Sequence, residues 1–107
     1  MEQPNGEWHG AGRADQVCAG SVVQRLVAGR KLVIGRVQDR YFALDDQCPH
    51  AGASLGFGML EGNGLMCPLH GWEFNVFSGE CAMFGAKVVS HAIREVGEML
   101  EVQLSQS

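Results

Sequence analysis

The sequence predicts an all-β fold, an antiparallel β sandwich or barrel that carries a small insertion. Three observations predict it. Fifteen glycines and three prolines punctuate short runs rich in β-branched residues, the pattern of many strands and tight turns. No segment sustains apolar residues at i, i+3, i+4 and i+7, the spacing a helix needs. Near the end, Leu100, Val102 and Leu104 alternate with Glu101 and Gln103, as in an antiparallel strand with one wet face.

The elements follow in chain order. Residues 1–7 read as a loose start. The segment GRADQVCAG (12–20) is bounded by glycine and too short for more than a helical turn. SVVQRLV (21–27) is a strand, AGR (28–30) a turn and KLVIGRV (31–37) the next strand. QD (38–39) turns the chain into RYFALD (40–45), a third strand. VVSHAIREV (88–96) and MLEVQL (99–104) flank the dipeptide GE, a closing hairpin. Between them, from about 46 to 85, the composition changes to glycine and aromatics. Strands there are short: GMLEG, GLMC and GWEFNV. EGNG (61–64) is a hairpin turn, because Gly and Asn tolerate positive φ. The chain therefore reads as one domain, 1–107. A β framework from 8–45 and 86–105 holds an insertion at about 46–85 that carries the site.

At 107 residues the core is modest, so a metal site would add needed stability. A net charge of −4 argues against a nucleic-acid partner. The apolar runs are too short to span a membrane. The start, MEQPNGEWHG, lacks a basic region followed by an apolar stretch, so the chain reads as cytoplasmic. Its four cysteines, Cys18, Cys48, Cys67 and Cys81, are then expected as thiols.

Two of those thiols sit beside imidazoles. Cys48 and His50 enclose Pro49, and Cys67 and His70 enclose Pro68 and Leu69; sixteen residues, 51 to 66, separate the pairs. Each pair is followed closely by glycine, at Gly52 and Gly71. Proline stiffens such a loop, and glycine lets the backbone turn around a bulky inorganic group with its N–H groups aimed at anionic sulfur.

The pattern, Cys-x-His then Cys-x-x-His in CPHAG…CPLHGW, resembles the Rieske [2Fe-2S] family. The resemblance is specific over about residues 46–80. It implies that Cys48 and Cys67 bind one iron and His50 and His70 the other. It implies the family's all-β fold, with a cluster-binding subdomain set on a basal β structure. Zinc is the competing reading, since it also takes two Cys and two His. Zinc motifs group like with like, however, and one residue between Cys48 and His50 is short for both to grip one tetrahedral ion. Other candidates are weaker. His9 and His91 fall in expected strands, and His91 reads as a sheet residue rather than a ligand. Cys18 and Cys81 read as small, partly buried thiols. Trp72 and Phe74 read as core aromatics beneath the site. The family often lays a proline-containing loop against the cluster, but this chain has no proline after Pro68.

No Lys or Arg lies between Tyr41 and Ala86, a stretch that holds Asp45, Asp46, Glu61, Glu73 and Glu80. This reads as a solvated surface or as an acidic rim that steers a basic partner. With two thiolates and two neutral imidazoles, an oxidised cluster is formally neutral and the reduced one carries a single negative charge, which suits a carrier. The chain shows no nucleophile–base pair and no phosphate-binding loop, so it does not read as an enzyme. The resemblance implies a Rieske-type ferredoxin, a monomer passing electrons from an NAD(P)H-dependent flavoprotein reductase to a terminal oxygenase. Two alternatives are a small Rieske subunit of NAD(P)H-dependent nitrite reductase, bound to its large subunit, and a zinc-stabilised interaction module. High-potential members of the family carry a disulfide between the ligand loops and donate Ser and Tyr hydroxyls to sulfur. The matching positions here are Ala53 and Leu69, and Trp72 and Phe74, which implies a low potential.

Overall fold

A computed structural model describes residues 7–49, 52–69, 71–81 and 85–105. Nine strands fill most of it: β1 (Trp8–Arg13), β2 (Val22–Val27), β3 (Arg30–Val37), β4 (Arg40–Asp45), β5 (Met59–Glu61), β6 (Gly64–Met66), β7 (Glu73–Asn75), β8 (Ser90–Val96) and β9 (Met99–Gln103). They form a six-stranded antiparallel sheet, ordered β1-β9-β8-β4-β3-β2, and a three-stranded sheet, β5-β6-β7. The edge strands β1 and β2 lie against each other, so the larger sheet nearly closes into a barrel. The expected all-β class stands. Among the described residues no helix is long and apolar enough to cross a membrane.

Two-residue turns set the registers. Val27 pairs with Arg30, Val37 with Arg40, and Val96 with Met99. Such turns match strand twist when their central residues take positive φ. Ala28 (φ 51°) and Gly29 (φ 81°) both do so, as do Gln38 and Gly97. The expected turn at EGNG also forms, with Glu61 opposite Gly64 and Gly62 in the left-handed region. GRADQVCAG gives one short 3-10 turn, Ala14–Gln16.

The structure differs from expectation at both ends of the framework. β1, the strand expected around His9, is an edge strand on β9, broken by a register shift between Gly10 and Arg13, and its polar, glycine-containing sequence does not mark its bounds. β8 begins at Ser90 rather than 88. The Val88 N–H is drawn away to the Gly79 carbonyl (2.9 Å), while the Val89 carbonyl accepts from Asp45 N–H (2.9 Å).

β3 and β4 serve two interiors. Leu32, Ile34 and Ala43 pack into the barrel with Val27, Leu100 and Val102. Val33, Phe42 and Leu44 point the other way and meet Leu55, Leu65, Phe74, Val76 and Val88. Burial on both faces explains why LVI reads as an unbroken apolar run, whereas β9, wet on one face, alternates. The second interior also holds Cys48, Cys67 and Cys81. It thus joins the three-stranded sheet to the framework and places three thiols at the junction.

Candidate metal centre

Two loops present the predicted thiols. Cys48 follows β4 after a short link in which Gln47 bridges Ser54, and Cys67 directly follows β6. The Cys48 N–H donates to the Ala53 carbonyl (2.9 Å), and Gly52 N–H returns to the Cys48 carbonyl (2.8 Å). The Cys67 N–H donates to the Trp72 carbonyl (2.7 Å). Both loops thus close on the residue five past the cysteine, and the fourth, Gly52 or Gly71, has φ near 70° (71° and 68°). A side chain at such a φ strains the backbone, which is why glycine stands there.

A third loop repeats the pattern. Cys81 N–H donates to the Ala86 carbonyl (2.9 Å), Gly85 N–H to the Cys81 carbonyl (3.1 Å), and Gly85 has φ 68°. Sequence reasoning missed this likeness, although a signal was present: Cys-x-x-x-Gly recurs at 48–52, 67–71 and 81–85. Cys81 is fully buried rather than partly so, whereas Cys18 is exposed. Cys81 and Ala86, which close this loop, lie on the same core as Cys48 and Cys67.

The Cys48 and Cys67 side chains are almost wholly buried and lie within hydrogen-bonding reach of each other. Burial pushes the Cys67 thiol above its ordinary value. The Leu69 backbone N–H, donating to this sulfur, opposes that rise, and the neighbouring Cys48 thiol adds to it. Two converging buried thiols, one already served by a backbone N–H, are a poor resting pair but a good pair of ligands to a cation, which removes the cost of both thiolate charges. The donor set fits an iron–sulfur centre. His50 and His70 lie outside the described residues.

The surrounding residues divide as follows. Phe74 is buried in the core that holds the thiols and Trp72 packs against that core, as expected of core aromatics. His9 lies in β1 opposite Val102. His91 lies in β8, and its side chain is fully buried. Its Nδ1 accepts from Ser105 N–H (2.9 Å), so Nε2 carries the proton donated to Asp45 Oδ1 (2.9 Å). Arg30 grips the same carboxylate through two hydrogen bonds of 3.1 and 3.0 Å. The acidic rim is therefore smaller than the sequence suggests. Asp45 is ion-paired and Asp46 is buried, which leaves Glu61, Glu73 and Glu80 as the exposed acids of this stretch.

A profile of the Rieske [2Fe-2S] domain matches residues 7–94. The chain belongs to the Rieske [2Fe-2S] domain family. Its family cofactor is one [2Fe-2S] cluster. Among Rieske relatives, the ferredoxin component of the naphthalene 1,2-dioxygenase system of Pseudomonas aeruginosa is 29% identical over 101 residues, 92% of this chain and 97% of that one. The anthranilate 1,2-dioxygenase ferredoxin subunit of Burkholderia cepacia is 30% identical over 100 residues, 92% and 93% of the two chains. A chain in the solved complex of reduced oxygenase and oxidised ferredoxin of carbazole 1,9a-dioxygenase superposes with a TM-score of 0.81 at 28% identity, covering 90% of this chain and 92% of that one.

Proposed function

We propose that this Rieske chain is a one-electron carrier, which takes electrons from an NAD(P)H-dependent flavoprotein reductase and delivers them to a terminal oxygenase. The observation that carries the reading is the pair of buried, converging thiols on two loops, each closed by a hydrogen bond from the cysteine N–H to the carbonyl five residues on. The relatives that match it over nearly their full length are ferredoxin components rather than catalytic chains. When bound, the cluster accepts and releases a single electron. Cys48 and Cys67 hold one iron from within the core, and His50 and His70 hold the other. The Leu69 N–H stabilises thiolate charge at Cys67. We assign residues 46–85 to the cluster-binding subdomain, and 8–45 and 86–105 to the basal framework. The solved ferredoxin–oxygenase complex supports an oxygenase as acceptor. The exposed Glu61, Glu73 and Glu80 suit weak, steered encounters with a basic partner surface.

Purified protein should be red-brown, with two irons and two acid-labile sulfides per chain. Cys48→Ala or Cys67→Ala should lose both. With a flavoprotein reductase and NADH, it should reduce cytochrome c and sustain turnover of a Rieske oxygenase. One zinc and no iron would reject the assignment. A protein that holds its cluster but supports no such transfer would reject the carrier role.

A further inference from the structure

Asp46 stands at the base of the first ligand loop, two residues before Cys48, with only 3% of its surface exposed. Its side chain accepts three hydrogen bonds from three places. Gln24 Nε2 of β2 reaches Oδ2 at 2.8 Å; Ser54 Oγ and Gly56 N–H reach Oδ1 at 2.9 and 2.8 Å. Gln24 Nε2 also donates to Ser54 Oγ (3.0 Å), which ties the donors to one another. The backbone of Asp46 adds two bonds, N–H to the Lys31 carbonyl (3.1 Å) and carbonyl to Leu55 N–H (2.7 Å). One residue thus pins both legs of the Cys48–Gly52 loop to the framework strands.

The charge is as informative as the position. Asp45, next door, is matched by Arg30. Asp46 has no cation paired with it among the described residues; its three side-chain partners are neutral. A buried carboxylate without a counter-ion is costly even when hydrogen-bonded. Asparagine would fill the same space at a smaller cost, with Gln24 turning its amide to suit.

We propose that Asp46 is the positioning residue of the first ligand loop and that its buried, unpaired charge holds the cluster's reduction potential down. The proposal rests on the cluster assignment made above. A fixed negative charge two residues from Cys48 opposes the arrival of an electron, while the hydrogen bonds fix where Cys48 presents its sulfur.

The test uses the holoprotein and redox titration at one pH. Asp46→Asn should keep the cluster and raise its electron affinity about tenfold, which is about 59 mV for one electron. Ser54→Ala leaves the charge in place with one donor fewer, so the midpoint should move the opposite way. A merely structural role would not give opposite signs, since loosening the loop shifts both variants alike. Asp46→Ala should lose most of its iron and sulfide while far-UV circular dichroism retains the strand signal. An unmoved midpoint in Asp46→Asn, or shifts of the same sign in Asp46→Asn and Ser54→Ala, overturns the proposal. If Asp46→Asn does not fold, Ser54→Ala decides alone: a fall supports the proposal, and no change or a rise overturns it. Wild-type protein without iron would overturn the cluster assignment and this proposal together. Wild-type protein with its cluster and an unmoved Asp46→Asn midpoint overturns this proposal alone.

Discussion

Phe74 is fully buried in the core that also holds Cys48 and Cys67, so a hydroxyl added to its ring would enter a dry interior shared with both thiols. A hydrogen bond to sulfur stabilises the more negative, reduced state. Phe74→Tyr should therefore raise the midpoint by tens of millivolts, read by redox titration; a hydrogen bond to a charged group is worth roughly 1.5–3 kcal/mol at most. The wild-type value should lie near the lower end of the Rieske range, about −150 mV, and a value above about +100 mV would contradict this account. Asp45 sets a second expectation. Burial alone would raise its carboxyl, but the hydrogen bonds from His91 and Arg30 outweigh that and hold it below the ordinary carboxylate value. As pH falls the unfolded chain then takes up its proton first. The stabilisation is fully present above about pH 4 and fades as pH drops through the lower, folded value. Asp45→Asn should cost about 1–3 kcal/mol at pH 7, and the gap to wild type should narrow at pH 3 in urea unfolding.

At the scale of the elements, the turn Ala28–Gly29 is the clearest place for improvement. Both residues take positive φ, and alanine does so against the crowding of its Cβ, whereas asparagine tolerates that region. Ala28→Asn should stabilise the hairpin of β2 and β3 by about 0.5–1 kcal/mol, measured by urea unfolding. This turn also shows how far sequence carries. A turn was legible at 28–30, yet Arg30 belongs to β3, because a two-residue connection closes on the Val27–Arg30 pair. RYFALD was legible to the residue, since a polar turn precedes it and its apolar run ends at acids. β1 was not delimited, because its strand character comes from pairing with β9 and not from its own glycine-containing sequence. Cys48 and Cys67 stood out in the sequence as candidates because soft donors at close spacing have few structural uses. The role of Asp46 was not, because its donors lie 22, 8 and 10 residues away and meet only in the fold.

For the molecule as a whole, cluster removal should be felt unevenly. The loop amides of Cys48, Gly52 and Cys67 are held by single loop-closing bonds, whereas residues 32–37 and 40–44 lie within continuous ladders. In the cluster-free protein those loop amides should exchange faster while β3 and β4 keep their protection, because metal bonds supply the order of the loops. Equal exchange with and without cluster would contradict this. Strands β3 and β4, walled in on both sides, leave evolution little freedom. A substitution at Val33 disturbs the interior around the thiols, and one at Ile34, a single residue on, disturbs the barrel. Neither face offers solvent as a refuge for a polar or oversized side chain. In a saturation library selected for folded protein, 32–35 and 42–44 should accept almost nothing but close apolar isosteres. Val96 and Met99, beside the exposed β8–β9 turn, should accept nearly any residue.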